Sequence, residues 1–299
     1  MKVCGRVELM VTIQNILFPV DFSPSCTAMA PLVKRVATIT TARVTLLHVL
    51  EPSMSPASGF ELYARPLSEA EKDRELTARA KLDSYLLPEF PANHCTRIVL
   101  AGDAAARITG VARERGIDLI AMPTHAGVFR RTLLGSTTAK VLNDADCPVL
   151  TTQHAETIAP RRLEHREWVC AIGLGPESAR VLRYATQITE AFHVNLTLIH
   201  AIPGGEPGLP VQLDLEERVQ SMEKRAAHER IRELQKAVGS HAPVKIAVGP
   251  IKNALIEAAR RLQADELVIG RSSEPGSHGR LRDLTYAVVR DAPCPVMSV

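Results

Sequence analysis

Two short stretches of the sequence hold side chains suited to binding a sugar and a phosphate. Asp21 follows the first apolar run, where a carboxylate can accept hydrogen bonds from a ribose or a base. Gly135, Ser136 and Thr137 open a helical segment further along. A helix start offers free N–H groups and a positive dipole end, and a glycine there allows close approach. Both stretches also have a structural interpretation, because Asp, Ser and Thr are common helix caps.

The elements that must position these residues are apolar strands alternating with helical segments. In the first half, apolar runs at 15–20, 44–50, 96–101, 119–122 and 149–152 alternate with helical segments at 25–40, 68–87, 104–115 and 136–143. This pattern predicts βαβ units and a mainly parallel sheet covered by helices on both faces, and therefore an α/β fold. Ligands of such sheets bind outside the carboxyl ends of the strands, where Asp21 and Gly135 both fall.

The second half of the chain repeats the first. Residues 17–24 align with 169–176, and 44–49 with 196–201, at a constant offset of 152. Later the offset is 147, as in the match of Cys147-Pro148-Val149 to Cys294-Pro295-Val296. The difference of five residues falls between His200 and Gly249, in a segment that contains a loop rich in Pro and Gly.

A length of 299 residues fits two domains of ordinary size. We predict a first domain at 11–153, a polar linker at 154–166 and a second domain at 167–299, with Met10 as an alternative start to Met1. Each domain is predicted to be a five-stranded, Rossmann-like unit. The last strand of the second, at 296–299, is expected to pair with 149–152 and cover an exposed sheet edge.

Composition limits the classes of function. Thirty-six basic and 33 acidic residues give a net charge of +3, which argues against a nucleic-acid partner. Six dispersed cysteines and 10 histidines form no disulfide or zinc spacing, so we expect no metal site and a cytoplasmic location. No uncharged apolar stretch is long enough to predict a membrane span.

Taken in order, four motifs resemble those of the universal stress protein (UspA) family. They are Ile16-Leu17-Phe18-Pro19-Val20-Asp21-Phe22-Ser23, Leu46-Leu47-His48-Val49, Asp118-Leu119-Ile120-Ala121-Met122-Pro123-Thr124-His125, and Leu133-Leu134-Gly135-Ser136 followed by Cys147-Pro148-Val149-Leu150. The second half matches more weakly, so the whole chain resembles a tandem member. The resemblance implies two repeated adenine-nucleotide-hydrolase-like domains. Members of the family either bind ATP or do not, and they commonly dimerise through the last strand.

The resemblance also implies a set of nucleotide-binding residues in the first half. Pro19, Asp21 and Val49 would line an adenosine site, Met122, Pro123, His125 and Ala126 would lie beneath the ribose and phosphates, and Gly135, Ser136 and Thr137 would hold the phosphate tail. ATP-binding members carry G-x2-G-x9-G-[ST] after the fourth strand. Here Pro123 and Ala126 replace the first two glycines and the loop is one residue shorter, which removes a backbone donor and limits approach.

Two functions therefore stay open. The first is a stress-response binding protein that holds ATP, with or without Mg²⁺, in its first half, with at most slow hydrolysis and no assigned catalytic residue. The second is an interaction module of the same family that needs no cofactor. Enzymes of related nucleotide-binding classes lack support, because no P-loop or complete dinucleotide fingerprint is present.

The second half departs from the nucleotide pattern. Gly173 replaces Asp21, and Arg282 and Asp283 replace Gly135 and Ser136, so we predict no nucleotide there. We expect this half to act as a built-in partner of the first, with a further homodimer left open. His48 and His200 occupy equivalent strand positions and are interpreted as structural histidines.

Overall fold

The computed structural model describes residues 13–51, 69–124, 134–153, 167–203, 213–271 and 283–299. Strands of the first half are β1 (Asn15–Pro19), β2 (Arg43–Leu50), β3 (Cys95–Ala101), β4 (Leu119–Pro123) and β5 (Val149–Thr152); those of the second are β6 (Glu167–Ala171), β7 (Asn195–Ile202), β8 (Val244–Val248), β9 (Glu266–Ile269) and β10 (Val296–Ser298). The helices are α1 (Pro24–Thr40), α2 (Glu69–Ser84), α3 (Ala104–Glu114), α4 (Ser136–Asp144), α5 (Ser178–Phe192), α6 (Leu213–Val238), α7 (Ile251–Arg261) and α8 (Asp283–Asp291). The predicted α/β class is confirmed.

The ten strands form one sheet in the order β3-β2-β1-β4-β5-β10-β9-β6-β7-β8. Neighbouring strands within each half are parallel. β5 and β10 are antiparallel, with Leu150 opposite Met297, and this pair joins the halves. In the first half the strand order changes direction between β1 and β4, which opens a crevice at their carboxyl ends.

Local sequence accounts for where the helices begin and end. The Ser23 hydroxyl accepts a hydrogen bond from the Cys26 N–H at 3.3 Å, and Pro24 follows at the first position of α1. The predicted second helix was too long at its C-terminus, because the structure ends α2 at Ser84. Leu86 adopts a left-handed φ of 53° and Pro88 follows, so the chain cannot continue as a helix.

Two layers of helices cover the sheet, and each layer packs on its own apolar cluster. One cluster contains Phe18 of β1 and Trp168 of β6, and the other contains Leu17 and Val169, the adjacent residues of the same strands. Adjacent residues of a strand point to opposite faces, so each strand serves both clusters. Both clusters contain residues of both halves, so the hydrophobic core is continuous across the β5–β10 pair.

Repeated polar residues have repeated structural roles. His48 Nδ1 lies 2.8 Å from the carbonyl oxygen of Val20, and His200 Nδ1 lies 2.8 Å from that of Ile172. Because a carbonyl only accepts, Nδ1 of each ring carries the proton. The Asp118 carboxylate accepts a hydrogen bond from the Asn15 N–H at 2.9 Å. The interpretation of both histidines as structural is confirmed.

The described cysteines are free thiols. Burial raises the pKa of Cys26 and Cys170 to about 12 and that of Cys147 to about 11. These thiols are therefore protonated at neutral pH. Among the residues that the structure describes, no cluster of potential metal ligands and no helix able to cross a membrane is found.

Candidate functional site

The candidate site lies at the carboxyl edge of the sheet, in the crevice between β1 and β4. The structure brings most of the predicted residues to this edge with different exposures: Pro19, Met122 and Pro123 are buried, Val49, Gly135 and Thr137 are half-buried, and Asp21 and Ser136 are exposed. His125 and Ala126 lie outside the described residues. The exposed and half-buried members are those that a ligand from solvent can reach.

Asp21 is held in a tight turn by one of its two carboxylate oxygens. Oδ1 accepts hydrogen bonds from the Ser23 N–H at 2.9 Å and from the Cys26 thiol at 3.1 Å. Oδ2 makes no hydrogen bond within the described part of the chain. Desolvation by the surrounding protein raises the pKa of Asp21, but the hydrogen bonds from Ser23 and Cys26 outweigh this effect, so the pKa is lowered. The carboxylate is therefore charged at neutral pH, with one oxygen available.

The residue after Asp21 fixes the turn. Phe22 has a φ of 64°, which is unfavourable for a bulky side chain and persists when surrounding contacts determine it. Its ring packs 4.4 Å from that of His48 and 5.1 Å from that of Tyr85, and the Lys81 ammonium lies 4.3 Å above it. These contacts orient the backbone of the turn that contains Asp21.

The start of α4 lies across the crevice from Asp21. The Gly135 N–H donates to the Thr124 carbonyl at 2.8 Å and closes the loop after β4. Gly135 is the N-cap residue and has no side chain, so within the described residues no N-cap side chain accepts from the first-turn amides of α4. Ser23 and Asp103 supply such acceptors to α1 and α3.

Pro123 replaces a glycine of the family pattern and is part of the sheet. It is buried as the last residue of β4, beside Thr152 of β5. Its carbonyl accepts a hydrogen bond from the Thr138 hydroxyl at 3.1 Å, which ties α4 to β4. The Thr138 hydroxyl, which the sequence offered as a further phosphate donor, is thus used in a packing contact with a residue 15 positions away.

In the second half the equivalent edge is built differently. Gly173 stands in place of Asp21, and α5 begins at Ser178, later than the counterpart of Pro24. Packing accounts for the glycine at position 270, because a Cβ added to Gly270 would lie 2.9 Å from a methyl carbon of Val181. A separate cavity of about 610 Å³ lies between the turn after β6 and α6, lined by Leu174 and Arg230 among others.

Two residues of the second half that sequence reasoning missed contact the structure around α4. The Tyr286 hydroxyl accepts a hydrogen bond from the Leu134 N–H at 3.2 Å, and Arg271 donates to carbonyls at the far end of α4. The repeat held a signal for both. At the offset of 147 their counterparts are Ala139 and Thr124, so the second half gains a hydroxyl at Tyr286 and a positive charge at Arg271.

A mainly parallel sheet with a carboxylate and a helix start at its switch point defines a doubly wound α/β protein. The chain belongs to the Universal stress protein family, because the family profile matches residues 12–153 and 166–299. The match covers both halves, so the chain is a tandem member of this family.

Known relatives agree with this assignment. The chain is 26% identical to Universal stress protein A homolog 1 of Coxiella burnetii over 46% of this chain and 97% of the relative. It is 28% identical to Universal stress protein MJ0577 of Methanocaldococcus jannaschii over 48% of this chain and 96% of the relative. A universal stress protein from Archaeoglobus fulgidus has the same fold, with a TM-score of 0.67 at 18% identity, over 96% of this chain and 97% of that one.

Proposed function

We propose that this protein is a stress-response binding protein whose first half holds ATP or another adenine nucleotide. The observation that carries the proposal is that an acceptor and a set of donors lie at the same, carboxyl edge of the sheet. Within the described residues, Oδ2 of Asp21 after β1 accepts no hydrogen bond, and no N-cap side chain accepts from the first-turn amides of α4 after β4. Hydrogen-bond acceptors on one side and donors on the other match a ribose joined to phosphates.

The two groups have complementary tasks in this proposal. Oδ2 of Asp21 accepts hydrogen bonds from ribose hydroxyls or the adenine amine, and the half-buried Val49 offers an apolar surface to the base. Ser136 and Thr137 add hydroxyl donors to the backbone amides at the phosphate end. Pro19, Met122 and Pro123 are buried and are proposed as the floor of the site, and His125 and Ala126 follow them in the sequence. Among the described residues we assign none to activating water, and we propose binding rather than rapid turnover.

A second candidate function is interaction without a nucleotide. It is favoured by Pro123, which has no N–H to offer a phosphate and whose carbonyl is bonded to Thr138. A protein of this kind would act through its surfaces and through the contact between its halves.

The second half is proposed to bind no nucleotide and to serve as a built-in partner through the β5–β10 pair. Gly173 supplies no carboxylate there. We further propose the domain limits 11–153 and 167–299 with a linker between them, a cytoplasmic location, and no nucleic-acid or membrane partner.

Calorimetric titration of the whole protein with ATP tests the proposal. We expect one ATP per chain, and we expect Asp21→Asn to weaken binding about tenfold, because a hydrogen bond to a charged group contributes about 1.5–3 kcal/mol. Asn retains an oxygen for the Ser23 N–H, so the turn is preserved. Asp146→Asn, at an exposed aspartate that pairs with Arg113, is the matched control and should bind as the wild type does.

Two results would contradict the proposal. Two ATP molecules per chain would show that the second half also binds. Lack of binding at millimolar ATP by the folded wild type would support the nucleotide-independent function instead.

A further inference from the structure

Arg271 of the second half is buried against the C-terminal end of α4. Its guanidinium donates to the carbonyls of Leu142 at 2.6 Å, Ala145 at 3.2 Å and Cys147 at 2.7 Å. The residue is only 5% exposed. Carbonyls at a helix C-terminus lack partners within the helix and carry partial negative charge, so a guanidinium is a well-matched cap.

Tyr286 of α8 contacts the chain at the opposite end of the same helix. Its hydroxyl accepts a hydrogen bond from the N–H of Leu134, which immediately precedes the N-cap residue Gly135. Leu134 itself is buried. The second half therefore holds α4 at its C-terminal end and at the residue that leads into its N-terminal end.

In both contacts the side chain belongs to the second half and the backbone group belongs to the first half. The counterpart of Arg271 is Thr124, whose hydroxyl donates to the Thr152 carbonyl within its own half at 3.1 Å. The counterpart of Tyr286 is Ala139, which has no polar side-chain atom. A merely symmetric packing of two repeats would not require this difference. Both residues act on the half that retains Asp21.

We infer that Arg271 and Tyr286 are positioning residues that order α4 for the ligand of the first half. This inference rests on the proposed nucleotide site. A nine-residue helix has little stability of its own, so its placement depends on tertiary contacts. Fixing it before the ligand arrives removes an ordering cost from binding. The second half is thus part of the binding site of the first.

Tyr286→Phe in the whole protein tests the inference, because it removes one acceptor atom and keeps the ring. We expect ATP affinity to fall about fivefold, as for the loss of one ordinary hydrogen bond, and hydrogen exchange of the Leu134 amide to accelerate. The matched control is Tyr184→Phe, which removes a buried hydroxyl that bonds to Met297 in the same half. It should change neither quantity.

Arg271→Lys provides a second variant that keeps the charge but cannot donate to three carbonyls in the same geometry. It should weaken ATP binding and accelerate amide exchange within α4. Wild-type affinity and wild-type exchange in both variants would overturn the inference while leaving the nucleotide site intact. Absence of ATP binding by the wild type would instead overturn the proposed function, and the nucleotide role of both residues with it.

Discussion

Gly135→Asp is expected to stabilise α4 and, in the same molecule, to weaken ATP binding on the order of 100-fold. Gly135 has φ −58° and ψ 141°, a conformation that any residue adopts, so the substitution introduces no backbone strain. The new carboxylate would accept hydrogen bonds from the first-turn amides of α4.

Stability and affinity change in opposite directions because they depend on the same donors. An aspartate cap and its interaction with the helix dipole should raise the free energy of unfolding by about 0.5 kcal/mol. The same carboxylate occupies the amides proposed for phosphate and repels it. The second half has an acidic residue, Asp283, at the position that follows the counterpart of Gly135.

Gly135→Asn separates these two effects. Asparagine caps a helix nearly as well as aspartate but carries no charge, so this control should keep the gain in stability and lose less affinity. Urea unfolding and ATP titration of both variants provide the measurements. Equal ATP affinity in Gly135→Asp and the wild type would show that phosphate does not bind at α4.

The stability of the wild type is expected to fall as the pH rises from about 5 to 7.5, by about 3 kcal/mol from Glu266 alone. Glu266 opens β9 beside Trp168 and is 4% exposed, with its Oε1 atom unpaired within the described residues. Burial raises its pKa to about 8, an effect that Arg35 opposes and Asp265 reinforces.

The direction follows from the protons bound in each state. Unfolded glutamate loses its proton near its ordinary value of 4.5, whereas the folded protein retains it until about 8. Between these values the folded state binds one more proton than the unfolded state. Each pH unit in this window therefore lowers the free energy of unfolding by about 1.4 kcal/mol. The contribution is complete below 4.5 and lost through 8.

Glu266→Gln should remove this dependence, because an amide does not titrate. Urea unfolding at pH 5 and pH 7.5 should show a decrease smaller by about 3 kcal/mol in the variant than in the wild type. Glu257→Gln, at an exposed glutamate that pairs with Arg261, should retain the wild-type dependence. Parallel pH profiles for the wild type and Glu266→Gln would refute the assignment.

Much of the fold could be predicted from local sequence. Apolar runs separated by helical segments indicated the α/β class because both faces of a parallel sheet must be buried. The rule that ligands lie at carboxyl strand ends placed Asp21 and Gly135 at one edge, as found. The end of α2 was misjudged because the left-handed turn at Leu86 has no glycine to mark it.

The sequence by itself determined the repeat, the element order and the difference between the halves at Asp21 and Gly135, since these depend on neighbouring residues and their spacing. Only the tertiary structure decided that Arg271 and Tyr286 contact the α4 region, across 129 and 152 residues of sequence. It also decided that Glu266 is buried where the first half has Leu119. Such contacts are set by the antiparallel β5–β10 pair, which brings distant surfaces together, and no periodicity within a segment encodes them.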